Sequence, residues 1–266
     1  MPVKKDPDGR RSVQAEVEVP GTPEEVWQAI ATGPGISSWF VPSTVEERAG
    51  GKATANFGPG MESVGTIKTW EPPNRFTMET VEEPGPVATE WIVEARGGGL
   101  CVVRVVHSWF GDKDDWDQQF EGHSEGWKSF FRILRLYLAH FKGQPSSLVQ
   151  LTGFGPEPKN TLWGKLTGML GATGAAVGKR VSSGPGSPAF GGVVERVGEE
   201  AYPEELLVRL DQPAPGIAHL FAMPMAGSVL LSIRLYLYGP RASAVAAEVG
   251  PTWQAWVNQH FPAPSA

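Results

Sequence analysis

Residues 44–110 constrain the fold more than any other part of this chain. They break into six short stretches with strand patterning: Thr44–Arg48, Lys52–Phe57, Ser63–Trp70, Arg75–Val81, Thr89–Arg96 and Leu100–Phe110. Between them lie Gly50-Gly51, Gly58-Pro59-Gly60, Pro72-Pro73-Asn74, Pro84-Gly85-Pro86 and Gly97-Gly98-Gly99. Connections this short leave no room for the crossover segments that parallel strands need, so the stretch predicts an antiparallel meander. A long helical pattern follows from about Asp114 to Lys142. Its Trp116, Phe120, Trp127, Phe131, Leu134, Leu138 and Phe141 recur every three or four residues and make one apolar stripe. A curved sheet whose concave face is crossed by one long helix satisfies both patterns, and leaves a cavity between them.

The flanking segments fit the same α+β plan. Ser12–Val19 alternates Val13, Ala15, Val17 and Val19 with polar residues, as a half-buried strand does. Thr22 then suits an N-cap, Pro23 the first helical position, and Glu24 and Glu25 the acidic first turn of a short helix to about Ala31. A second short helix is expected near Ile36–Phe40. Residues 1–11 are expected to be a disordered tail.

Gly143-Gln144-Pro145-Ser146-Ser147 has the chemistry of a linker, and the composition changes across it. Residues 1–146 carry the whole net charge of −6 and seven of the ten tryptophans, whereas residues 147–266 are neutral. The domain expectation is therefore 12–146 and 147–266. The second part reads as a shortened copy of the first. Gly65-Thr66-Ile67-Lys68 through Trp109-Phe110-Gly111 aligns with Gly192-Val193-Val194-Glu195 through Tyr236-Leu237-Tyr238-Gly239, and Trp127 with Phe130 aligns with Trp253 with Trp256. Leu148–Phe154 stands for the first strand and Thr161–Leu170 for the early helices. Gly171–Gly192 reads as a mobile Gly/Ser/Pro loop.

The acidic balance argues against a nucleic-acid partner held by phosphate attraction. The single cysteine, Cys101, excludes an internal disulfide and a multi-cysteine zinc site, and its valine neighbours mark it as an inert core thiol. No apolar run is long enough to span a membrane, and the basic start MPVKKDPDGRR lacks the apolar region of a secretory signal, so a cytoplasmic protein is expected. Gly178-Lys179 fails as a phosphate loop because Thr173 and Arg180 occupy required positions. The acidic run Asp112, Asp114, Asp115 and Asp117 complements the start of the long helix and needs no calcium.

Four ordered segments carry a family resemblance. They are Glu24-Glu25-Val26-Trp27-Gln28-Ala29, Glu71-Pro72-Pro73-Asn74-Arg75-Phe76, His107-Ser108-Trp109-Phe110, and Gly122-His123-Ser124-Glu125-Gly126-Trp127 with Leu134 and Tyr137-Leu138. Together they resemble the prokaryotic homologues of the heat-shock-protein-90 ATPase activator, within the START-like (SRPBCC) superfamily. The resemblance covers about residues 12–142. It implies a helix-grip fold with an apolar ligand cavity, followed here by a second, degenerate helix-grip-like domain. It also implies that Trp109, where relatives commonly have glycine, places an indole at the cavity rim.

Strand parity selects the wall of that cavity. On the last strand Cys101, Val103, Val105, His107 and Trp109 share the inward face; before it come Trp91 and Val93, and earlier Phe76 and Met78. The long helix adds Trp116, Phe120, His123, Trp127 and Phe131, and Trp39, Phe57 and Trp70 complete the expected ligand-binding set. Such a wall suits a flat or aliphatic apolar molecule, although the same aromatics would also serve as plain core. His107 and His123 are the candidates for orienting a ligand or for general acid–base work; each equally suits an ordinary buried hydrogen bond. Glu62, Glu121 and Glu125 are near them in sequence only. Two histidines do not make a metal site, and no cofactor is expected. The expected function is binding of a small hydrophobic or aromatic molecule. The alternatives are a cofactor-independent cyclase, aromatase or lyase using His107 and His123, and a co-chaperone-like activator with a chaperone partner.

Overall fold

The computed structural model describes residues 3–7, 9–58, 61–82, 85–110, 115–200, 202–225 and 227–263, and the side chains of these apart from residues 82, 85, 110 and 115–125. It divides into two compact units, Met1–Gly143 and Gln144–Ala266.

The first unit runs β1 (Lys4–Lys5), β2 (Arg10–Pro20), α1 (Pro23–Ala31), α2 (Gly33–Ser37), β3 (Ser43–Val45), β4 (Lys52–Asn56), β5 (Glu62–Glu71), β6 (Arg75–Glu82), β7 (Gly85–Arg96), β8 (Leu100–Phe110) and α3 (Asp115–His140). Its eight strands lie in the order β1-β2-β8-β7-β6-β5-β4-β3, all antiparallel. The meander thus closes on the strand that precedes it, and α3 follows the last strand. This is a helix-grip arrangement.

Local chemistry sets the short helices. Thr22 caps α1 in a full capping box: its hydroxyl accepts from Glu25 N–H, and the Glu25 carboxylate accepts from Thr22 N–H. Glu25 also pairs with Lys142 at 2.7 Å, which ties the start of α1 to the residues just after α3. That ammonium and the Thr22 N–H hold the Glu25 carboxyl below its ordinary range. The turn from α1 into α2 depends on Gly35, where a Cβ would stand 1.9 Å from the Gln28 carbonyl oxygen. Behind it Trp39 is fully buried, and its indole N–H donates to Ala29 O at 2.9 Å.

The N-terminal segment corrects the expected tail. β1 pairs with β2, β2 begins at Arg10, and Arg10 donates to the Ser108 hydroxyl at 2.8 Å. Val3 packs on a small cluster of Val13, Val87 and Trp109, so the first residues cover apolar surface that would otherwise be wet.

The second unit runs β9 (Ser146–Gly155), α4 (Lys159–Met169), β10 (Arg180–Ser182), β11 (Gly191–Glu199), β12 (Tyr202–Gln212), β13 (Gly216–Met225), β14 (Ser228–Tyr238) and α5 (Ala242–His260). Its strand order, β10-β11-β12-β13-β14-β9, again places the first strand beside the last, with one early helix and fewer early strands. β9 starts inside the segment read as linker, because Ser146 pairs with Tyr238. The stretch 171–192 is not a free loop either. β10 pairs with β11, and Ala172, Val181 and Phe190 are buried in the core. That core, between sheet and helices, is filled by aliphatic side chains together with Phe190, Trp253, Trp256 and Phe261.

Two outcomes follow. Trp39→Ala should destabilise the first unit by roughly 3–5 kcal/mol, measured by urea unfolding, with Thr22→Ala costing only about 1 kcal/mol. Cys101 is fully buried, its thiol donates to Gly21 O, and burial pushes its pKa up. A thiol reagent at mildly alkaline pH should therefore label the native protein no faster than it opens, and label it at once in denaturant.

Candidate functional site

A cavity of about 380 Å³ lies between the concave face of the first sheet and α3. Alternate residues of the central strands form its floor: Phe76, Met78 and Thr80 on β6, then Val87, Thr89 and Trp91 on β7, then His107 on β8. This is the two-residue period of a strand facing inward. Ile30 and Ile36 of the short helices and Phe40 just after them close one side, with Val45 and Ala53 of the early strands and Phe57 just beyond β4. Gly126, Trp127 and Phe130 of α3 form the roof. Among the described residues the lining contains no Lys, Arg, Asp or Glu.

Trp127 organises the aromatic part. Its indole stacks on Phe40 at 5.0 Å with 15° between planes and meets Trp91 edge-on, also at 5.0 Å. Phe130 meets Phe40 in a T at 4.4 Å, and Phe76 stacks on Trp91 at 6.0 Å. These offset and edge-to-face contacts are the favourable aromatic geometries. The wall is therefore apolar and largely aromatic.

Of the expected ligand-binding set, Phe57, Phe76, Met78, Trp91, His107 and Trp127 line the cavity. Trp39 and Phe131 are buried one layer behind, packed on Trp91 at 6.2 and 6.1 Å. Trp70 lies farther off, against Trp27 and Phe76. Val103 is fully buried in the sheet and does not reach the cavity. Trp109 is not at the rim: it is 2% exposed and clusters with Val13 and Val87, against which Val3 packs. The side chains of Trp116, Phe120 and His123 lie outside the described residues, as do those of Glu121 and Glu125. Glu62 is exposed at the start of β5.

Thr80 and Thr89 were legible and missed. They share the inward parity of Met78 and Trp91 on β6 and β7, and line the cavity beside them. Ile36, Phe40 and Val45 carried no such signal, since they come from a short helix, the segment after it and a three-residue strand.

His107 sits at the polar end. Its Nδ1 is 2.9 Å from Thr89 Oγ1, and its Nε2 accepts the indole N–H of Trp127. An indole nitrogen is a donor only, so Nε2 must carry the lone pair and Nδ1 the proton. His107 is thereby the Nδ1–H tautomer, donating to Thr89. It joins β8 to both β7 and α3. With both ring nitrogens engaged, a general-base role would require breaking one of these bonds. Among the described residues no three His, Cys, Asp or Glu side chains come together to hold a metal, and no helix is long and apolar enough to cross a membrane.

Residues 20–139 match the family described as Activator of Hsp90 ATPase homolog 1-like protein. No curated protein matches the chain. Among solved structures it is similar to CalU16 from Micromonospora echinospora, with 21% identity over 52% of this chain and 83% of that one and a TM-score of 0.42. DynU16, described as a putative protein in the dynemicin biosynthetic locus, shares 16% identity over 92% and 95%, with a TM-score of 0.44. The di-domain ARO/CYC BexL from the BE-7585A biosynthetic pathway shares 14% over 96% and 100%, with a TM-score of 0.47. The first unit, with its helix-grip strand order, is thus similar over residues 20–139 to the Activator of Hsp90 ATPase homolog 1-like proteins.

Proposed function

We propose that the first unit binds a small, neutral, largely apolar molecule in the space between its sheet and α3. The observation that carries this reading is the cavity itself: about 380 Å³, walled by stacked aromatics, with no charged side chain among the described residues of its lining. Its size falls within the range of small-molecule sites. A charged ligand would lose its hydration there without a counter-charge, which is costly. A flat apolar one would exchange water for aromatic faces.

Binding is favoured over proton transfer by the hydrogen bonds of His107. A histidine whose ring nitrogens bond Trp127 and Thr89 is held in place rather than poised to take a proton. The role of carrier, sensor or sequestering protein depends on how tightly the ligand is held.

Native mass spectrometry of the protein as isolated, beside its denatured mass, reads an occupied cavity directly. The expected result is a discrete added mass, or, after removal of any co-purified molecule, uptake of the neutral apolar fluorophore N-phenyl-1-naphthylamine with enhanced emission. Ala53→Phe, which pushes a ring into the space from β4, should weaken that uptake at least tenfold while the protein still unfolds cooperatively. Absence of any added mass and of probe uptake would sink the proposal, as would equal uptake by the filled variant.

A further inference from the structure

The second unit provides an internal comparison for the first. Both sheets put the first strand beside the last, so their registers can be matched rung by rung. In the first unit Gly65 pairs with Thr80, Thr80 with Val87 and Val87 with Trp109. In the second, Gly192 pairs with Leu210, Leu210 with Gly216 and Gly216 with Leu237. One rung along, Thr89 pairs with His107 and His107 with Val13; the counterparts are Ala218 with Leu235 and Leu235 with Val149. Thr80, Thr89 and His107 therefore correspond to Leu210, Ala218 and Leu235.

The three polar positions of the cavity floor are thus all apolar in the second unit, where they are buried in its filled core. There α5 carries Trp253 and Trp256 at the spacing of Trp127 and Phe130, and neither indole N–H has a hydrogen-bond partner among the described residues. The helix-grip arrangement forms without a threonine–histidine–tryptophan chain. That chain in the first unit is accordingly not a requirement of the fold.

Its direction is determined by its end groups. Trp127 N–H donates to His107 Nε2, and His107 Nδ1–H donates to Thr89 Oγ1. The Thr89 oxygen is thereby an acceptor for His107, which leaves its own hydrogen to be donated. Thr89 is 7% exposed and lines the cavity. We propose that Thr89 is the donor that orients the ligand, with His107 and Trp127 as positioning residues, and that the ligand is a flat, mostly apolar molecule carrying a carbonyl-type acceptor oxygen. This rests on the ligand-binding reading of the same cavity. An acceptor at that end satisfies the hydroxyl, whereas a ligand without one leaves a buried donor unpaired, and that penalty is the source of the selectivity.

The test uses the whole protein and two bicyclic probes of the same shape, 1-tetralone and tetralin, which differ by one carbonyl. Affinities are read by ligand-observed NMR titration. The ratio of tetralone to tetralin affinity should fall about tenfold in Thr89→Val, be restored in Thr89→Ser, and be unchanged in Thr80→Val. The imidazole ¹⁵N spectrum of His107 should show Nδ1 protonated and Nε2 unprotonated, with that tautomer preference lost in Trp127→Phe. A ratio unchanged by Thr89→Val, a ratio lost through Thr80→Val instead, or a protonated Nε2 would each overturn the proposal while probe binding persists. Failure of both probes to bind the wild-type protein would remove the cavity reading beneath it.

Discussion

The antiparallel pairing of β2 with β8 is the constraint on which the first unit depends. It runs unbroken from Arg10 opposite Phe110 to Pro20 opposite Leu100. A meander of β3 to β8 alone would end in an edge at β8 and leave its inner face open. Bringing β2 alongside covers that edge and delivers α1 and α2 to one end of the sheet. α3 leaves β8 and has one face it can bury, the concave one. Strand order, helix placement and the existence of an enclosed space all follow from this one closure.

Within that enclosure, packing and opening divide along the length of α3. Towards its C-terminal end Phe131, Ile133, Leu134, Tyr137 and Leu138 are buried and join helix to sheet. Just before these, Trp127 and Phe130 line the cavity. An unfilled apolar volume is unfavourable in a close-packed interior. The groups around such a space hold it by their contacts with one another. The aromatic contacts of Trp127 with Phe40 and Trp91, and its hydrogen bond to His107, do this. The second unit shows the other solution. With Leu210, Ala218 and Leu235 on the same rungs, sheet and helix meet directly around Phe190 and Trp253.

Much of the architecture was legible because it is written in local patterns. The alternation in β6, β7 and β8, and the glycine and proline turns between them, needed no tertiary information. Neither did the capping chemistry of Thr22 and Glu25, which the structure realises bond for bond. The N-terminal strand was less visible, since a two-residue β1 has no period to read. The stretch around Val181 was obscured by the glycines on either side, although β-pairing and burial hold it in place.

The site was legible only in part, and the limit is physical. Parity along β8 correctly gave Val103, His107 and Trp109 one face, but a face is not a cavity. The three have different surroundings: Val103 is fully buried, Trp109 is buried in a cluster with Val13 and Val87, and His107 reaches the space beneath Trp127. By itself the sequence determined strands, turns, helix caps and the two-part antiparallel plan, since these arise from interactions between residues near in the chain. Only the tertiary structure decided that Thr89, His107 and Trp127 join in one directed chain. Those residues come from β7, β8 and α3, and nothing in their spacing along the chain encodes the direction of a hydrogen bond.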